Sequence, residues 1–168
     1  PADTAASLAR HREILAAVLH RTGKWSPDRK GFAAIARGLA FGWTEARDRM
    51  LPALDRPEGE RLHEWRKRVK DHGYHAGLLA PIWPEMMSPH AQVADRLGDL
   101  LGQARDLALL IEAIELFGST HAVDEARRLK SERLAEASLI ARRLFAEPAP
   151  HLVARWQEWW GVWRQGRR

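Results

Sequence analysis

Five side chains between His63 and Tyr74 could together hold an anion: His63, Arg66, Lys67, Lys70 and Tyr74. Their spacing puts them on one face of a helix, at ~100° per residue. An imidazole, a guanidinium, two ammonium groups and the only tyrosine of the chain therefore stand in a line. Aligned donors on a rigid helix suit an anionic polymer. Arg66 can fork onto two oxygens of a phosphate, whereas Lys67 and Lys70 act as mobile point charges. His63 donates more strongly when protonated, so affinity is expected to rise below about pH 6.5. Tyr74 ends the line with a neutral donor.

The same segment carries a second stripe. Leu62, Trp65, Val69, His72, Ala76 and Leu79 recur by threes and fours, centred ~140° away around the helix, and form a core-facing seam. Trp65 thus packs while the basic residues face outward. On the preceding helix Lys30, Arg37 and Thr44 share a face by sevens, with Arg47 nearby. If that helix packs beside the two-striped one, Arg37 and Arg47 line one groove with the stripe. Simple solvation explains the same two arginines equally well.

Other chemistries fit less well. The chain has eight histidines, but His63 and His72 are ~180° apart around one helix, as are His11 and His20. His72 and His75 make only a weak two-ligand pair. Glu60 and His63 match the Glu-x-x-His unit of di-iron bundles, which need it twice. His63-Glu64 lacks the second histidine of a zincin. The serines lie mainly at helix starts, where capping explains them, and neither a nucleophile elbow nor a phosphate-cradling glycine loop is present. No catalytic residue, metal ligand or cofactor is therefore expected, and the chain is read as not an enzyme.

The net charge of +5 and a pI of about 10.2 favour acidic partners. Nucleic acid competes for this reading. However, no helix-turn-helix is visible and no aromatics interleave with the cations as a stacking surface requires. Only non-specific attraction is expected there. A length of 168 residues with 45% hydrophobic content suits one domain, 1–168, with a real core. With no cysteine, the chain has no disulfide framework and fits a reducing, cytoplasmic compartment. No apolar run approaches the ~20 residues of a spanning helix. The first residue is Pro1, so the chain is expected to be a piece of something longer.

The elements that must position these residues are helical throughout. The first helix covers about Thr4 to Leu19, with Leu8, Leu15, Val18 and Leu19 inward. Ser26-Pro27 reads as N-cap and N1 of the second, which runs to about Leu51 with Phe32, Ile35, Leu39, Trp43, Ala46 and Met50 on one seam. Pro52 and Pro57 mark a loop. The two-striped helix ends at Pro81 and Pro84, and Ser88-Pro89 starts the fourth. There Val93, Leu97, Leu100, Ala104, Leu107, Ile111 and Ile114 keep a heptad-like register. Gly118 stops it and Ser119-Thr120 restarts the chain. The fifth helix covers about His121 to Ala146, and Pro148 and Pro150 break it. In the last, Leu152, Trp156, Trp160 and Trp163 share a face, better read as a cap on the core than as a membrane-surface anchor. Six helices with short connections make an all-α antiparallel bundle without a sheet. Asp95, Asp99 and Asp106 can face one side of the fourth helix, either solvated or holding the cations of the stripe.

His63-Glu64-Trp65-Arg66-Lys67-Arg68-Val69-Lys70, followed by Tyr74, resembles the signature helix of the CHAD family, the conserved histidine α-helical domains. Leu101-Gly102-Gln103-Ala104-Arg105-Asp106 is similar to the family's Leu-Gly-x-x-x-Asp, and Leu144-Phe145-Ala146-Glu147 to its late Leu-Phe-Ala-Glu segment. The resemblance implies a domain of two helical bundles with a basic helix in each. This chain, having one such helix, resembles the second, C-terminal half. It also implies binding of inorganic polyphosphate, association with polyphosphate granules, and Asp106 as an orienter of the stripe. Gly73 departs from the large residue that family members often carry there. Domains of this family are often fused to triphosphate-cleaving domains, so an accessory role to such a hydrolase is the alternative. A half-domain that exposes apolar surface would also favour a homodimer.

Overall fold

A computed structural model of the chain describes residues 2–26, 28–116 and 120–167. Six α-helices follow one another: α1 Ala2–Thr22, α2 Ala33–Asp55, α3 Gly59–Leu78, α4 Pro84–Glu115, α5 Thr120–Leu144 and α6 Ala149–Gln165, with a short 3-10 turn, Ala80–Ile82, before α4. The described residues contain no strand. The expected all-α class is what the chain adopts. Two compact units divide it, 1–34 and 35–168.

The first unit holds α1 and the segment after it. Leu8, Leu15, Val18 and Leu19, expected inward, are exposed, Leu15 by 67%. Within its own unit α1 has no second helix on which to bury that stripe, and periodicity alone does not supply one. The expected Ser26-Pro27 start involves a residue outside those described; helical structure begins later, at Ala33.

In the second unit α3, α4 and α5 run alternately up and down. Lys70 meets Asp95 while Arg66 meets Gly98, so α3 and α4 are antiparallel. Arg96 meets Glu136 while Arg127 meets Glu115, so α4 and α5 are antiparallel too. The core lies between these helices, α2 and α6. Its largest members are Trp43, Trp65, Trp156 and Phe145, all but excluded from water. The whole α3 seam, Leu62, Trp65, Val69, His72, Ala76 and Leu79, is buried as its spacing requires. On α2, Leu39, Trp43, Ala46 and Met50 are buried, whereas Ile35 is partly exposed.

Prolines do not fall where a simple stop rule places them. Pro52 lies inside α2, which continues to Asp55. It costs one backbone hydrogen bond close to the helix end, where few turns depend on it. Pro84 starts α4 rather than ending α3: Trp83 is extended and its carbonyl accepts from Met87 N at 2.9 Å. Pro fits this first position because its missing N–H had no helical partner anyway. The Ser88-Pro89 start is thereby corrected, and Pro89 lies within the second turn.

The α4 register also widens. Val93, expected on the seam, is 41% exposed, while Ala94, Leu101 and Ala108 join Leu97, Leu100 and Ala104 in the core. A helix packed on both sides buries a broader arc than one heptad line. The expected breaks at Gly118 and Ser119 lie outside the described residues. In α6, Leu152 and Trp156 are buried; Trp160 and Trp163 are half-buried, their rings 5.1 Å apart. No described helix is long and apolar enough to cross a membrane.

Candidate polyanion-binding face

The basic stripe of α3 is set by its core seam. Burying Trp65, Val69 and His72 turns His63, Arg66, Lys67, Lys70 and Tyr74 away from the interior. They are spread across the outer side of the helix and the edge that meets α4. Arg66 and Lys70 lie nearest α4. Arg66 Nε donates to the Gly98 carbonyl at 2.9 Å, which leaves four of its five N–H groups for other acceptors. Lys70 Nζ lies 3.2 Å from an Asp95 carboxylate oxygen and 3.9 Å from one of Asp99.

Two glycines on α4 let these side chains lie close. A β-carbon on Gly98 would stand 2.6 Å from Lys70 Cδ, and one on Gly102 would stand 3.1 Å from Arg66 Nε. Gly73 does the same from the other side, since a β-carbon there would meet Asp95 Oδ1 at 3.3 Å and Ala94 Cβ at 3.5 Å. The glycine that departs from the family pattern therefore lies buried at the α3–α4 contact.

Farther out, Lys67 Nζ donates to Glu64 Oε1 at 2.8 Å. That bond, more than any other influence, holds the Glu64 carboxyl below its usual range. Both groups are solvent-accessible, so an incoming anion can replace the glutamate cheaply. Tyr74 is 62% exposed, and Lys70 Nζ sits 6.0 Å from its ring centre. His63 is half-buried, with Nδ1 turned inward and unpaired. From His63 to Tyr74 the line runs ~16 Å along the axis.

Not every expected member joins this face. α2 does pack beside α3, but through Gly42, where a β-carbon would stand 3.3 Å from the His75 ring, and through the side bearing Glu45 and Arg49. Arg37 and Arg47 are each five residues from Gly42, hence ~140° around the helix from that contact. They do not line a groove with the stripe. Asp106 shares the outer ridge of α4 with Asp95 and Asp99, but lies beside Gln103, Leu110 and Arg133 on the α5 side. Among the described residues no ion pair joins it to the stripe; Asp95 and Asp99 take the orienting position instead. The reason is register: Arg66 already sits at the level of Gly98 and Gly102, so Asp106 lies one turn beyond it. Gly98 is a further member of this face: glycines at 98 and 102 share one side of α4 and mark a close approach.

The buried neighbour of the stripe is a polar cluster of another kind. His72 Nε2 lies 2.7 Å from His90 Nε2. Trp43, Phe145 and Trp156 surround the pair, Trp156 stacking on His72 at 5.7 Å. Burial above all, then His90 and His75, holds His72 well below the usual imidazole range. Burial and then Arg155 lower His90 to about 4, against an opposing pull from Glu147. Two neutral rings can share this bond only if one carries its proton on Nε2 and the other on Nδ1. Nearby, Trp43 Nε1 donates to the Glu147 carbonyl at 3.0 Å, and Arg155 pairs with the Glu147 side chain. Among the described residues no three acidic or histidine side chains are grouped to hold a metal ion.

The family model described as CHAD domain matches residues 2–115. That range begins with α1 and runs through α4, covering most of the chain from its N-terminal side. The reading of the chain as the C-terminal half of the domain is corrected accordingly. It includes the stripe and the Leu101–Asp106 segment, whereas Leu144–Glu147 falls beyond it. No curated protein and no solved structure matches the chain.

Proposed function

We propose that this chain, which belongs to the CHAD domain family, binds inorganic polyphosphate without cleaving it, in the cytoplasm and on polyphosphate granules. One observation carries the reading: the charged ends of Arg66 and Lys70 are held at the edge of α4 by the Gly98 carbonyl and Asp95, and neither belongs to the core. A polyphosphate chain offers close to one negative charge per phosphate and no bases. It asks for charge in a fixed geometry rather than sequence readout. Arg66 supplies forked donors, Lys67 and Lys70 supply charge, and His63 and Tyr74 extend the line.

The test is a titration with long-chain polyphosphate at rising salt, with duplex DNA as competitor. The reading requires binding that survives near-physiological salt and resists DNA. Binding that vanishes with salt and is shared equally with DNA would reduce the face to generic electrostatics. Hydrolysis of polyphosphate by the isolated chain would contradict the absence of catalysis.

A further inference from the structure

A second cationic cleft lies where the end of α2 meets α5, and no residue of the stripe lines it. It holds about 740 Å³, within the roughly 300–1,000 Å³ of small-molecule sites. Leu54, Asp55 and Arg142 also border an adjoining hollow that reaches Arg61. Leu54, Ile111 and Leu134 form its apolar floor.

The cleft holds cations that are not all neutralised by neighbouring carboxylates. Three arginines of α4 and α5 have carboxylate partners: Arg96 with Glu136, Arg127, itself on the cleft wall, with Glu115, and Arg128 with Glu125 and Glu132. Lys130 and Arg142 line the cleft and have none among the described residues. Arg142 Nε donates instead to Ser138 Oγ at 3.2 Å, which ties its stem to the cleft wall and leaves the rest of the guanidinium unused. The two cations are ~18 Å apart along α5, with the apolar floor between them. Much of the cleft comes from α5, outside the residues matched by the family model.

We propose that this cleft binds an organic phosphate of the nucleoside triphosphate class. Arg142 takes the phosphates as a forked donor, joined from the adjoining hollow by Arg61, whose 3.4 Å pairing with Glu58 the phosphates replace. The base lies on Leu54, Ile111 and Leu134. Lys130 and the Ser131 hydroxyl donate to acceptors on its edge, and the Asp55 carboxylate accepts from the sugar hydroxyls. A bare polyphosphate gains nothing from that floor, so the cleft distinguishes the organic anion from the inorganic one.

The experiment titrates ATP and inorganic tripolyphosphate into the full chain carrying Arg66→Ala and Lys70→Ala. In that background the stripe contributes little, so the result does not depend on whether the stripe binds polyphosphate. ATP is expected to bind at least about fivefold more tightly than tripolyphosphate, through the apolar floor. Adding Lys130→Ala and Arg142→Ala should weaken ATP binding on the order of tenfold, with an unchanged melting curve. Lys130→Gln with Arg142→Gln keeps polar side chains while removing both charges and must show a comparable loss. Equal affinity for the two anions, no ATP binding at millimolar concentration, or ATP affinity indifferent to both variant pairs would each overturn the assignment.

Discussion

The aliphatic stem of Lys70 lies across Gly98, so close that a β-carbon at position 98 would stand 2.6 Å from Lys70 Cδ. The glycine is therefore the seat of the lysine, and the Asp95 carboxylate holds its far end. Gly98→Ala should not cost helix stability, because alanine favours the helix by about 1 kcal/mol over glycine. It should instead lift Lys70 off α4 and weaken polyphosphate binding by about threefold, since a lysine freed from its seat loses side-chain entropy on binding. A thermal melt and a polyphosphate titration of the same sample check both halves. Unchanged affinity would show that the position of Lys70 against α4 is irrelevant to binding.

Arg66→Ala combined with Lys70→Ala tests the face as a whole. The lost hydrogen bond to Gly98 costs about 0.5–1.5 kcal/mol, a small part of the stability of such a domain. Polyphosphate affinity should drop by about tenfold or more, and the log–log salt slope should shrink by about 1–2. Circular dichroism and binding at several salt concentrations decide it. An unfolded double variant would make the stripe structural.

Trp65→Ala probes the opposite face of the same helix. The side chain is fully excluded from water, and truncating a buried aromatic costs about 3–5 kcal/mol. The chemical-denaturation midpoint should fall steeply, while in the fraction that stays folded the stripe still binds. A melting temperature equal to that of the unaltered chain would overturn the face assignment.

The His72–His90 pair makes stability depend on pH. Both rings are held neutral in the fold, and both take up protons near pH 6.5 once unfolded. Between that value and the lowered folded value, the unfolded chain binds more protons, so acid destabilises the fold. For His90, lowered to about 4, the loss between pH 7 and pH 5 is on the order of 2 kcal/mol, and His72 adds to it in the same direction. Melting temperature measured from pH 7 to pH 5 should fall, and His90→Leu should flatten the dependence. A pH-independent melt in the unaltered chain would contradict the buried neutral pair.

The helical class, the α3 seam and the separation of seam from stripe were legible in the sequence because each rests on local spacing. A residue three or four places on lies on the same face whatever the helix packs against. His72 shows the limit of that reading. Its burial follows from its place between Val69 and Ala76, but its bond to His90 does not, since position 90 belongs to another helix. The Leu8–Leu19 stripe of α1 shows the converse: the period is present, yet those residues are exposed, because a period does not provide the partner that would bury them.

By itself the sequence determined which residues of α3 point inward and which carry charge outward, since helical geometry alone decides that. Only the tertiary structure decided what the outward charges lie against. The register of α4 on α3 set Lys70 over Gly98 and beside Asp95, left Asp106 a turn too far along, and the approach of α2 through Gly42 turned Arg37 and Arg47 away from the stripe. Register and contact face come from how side chains of different helices fill the space between them, and no spacing within one helix encodes that.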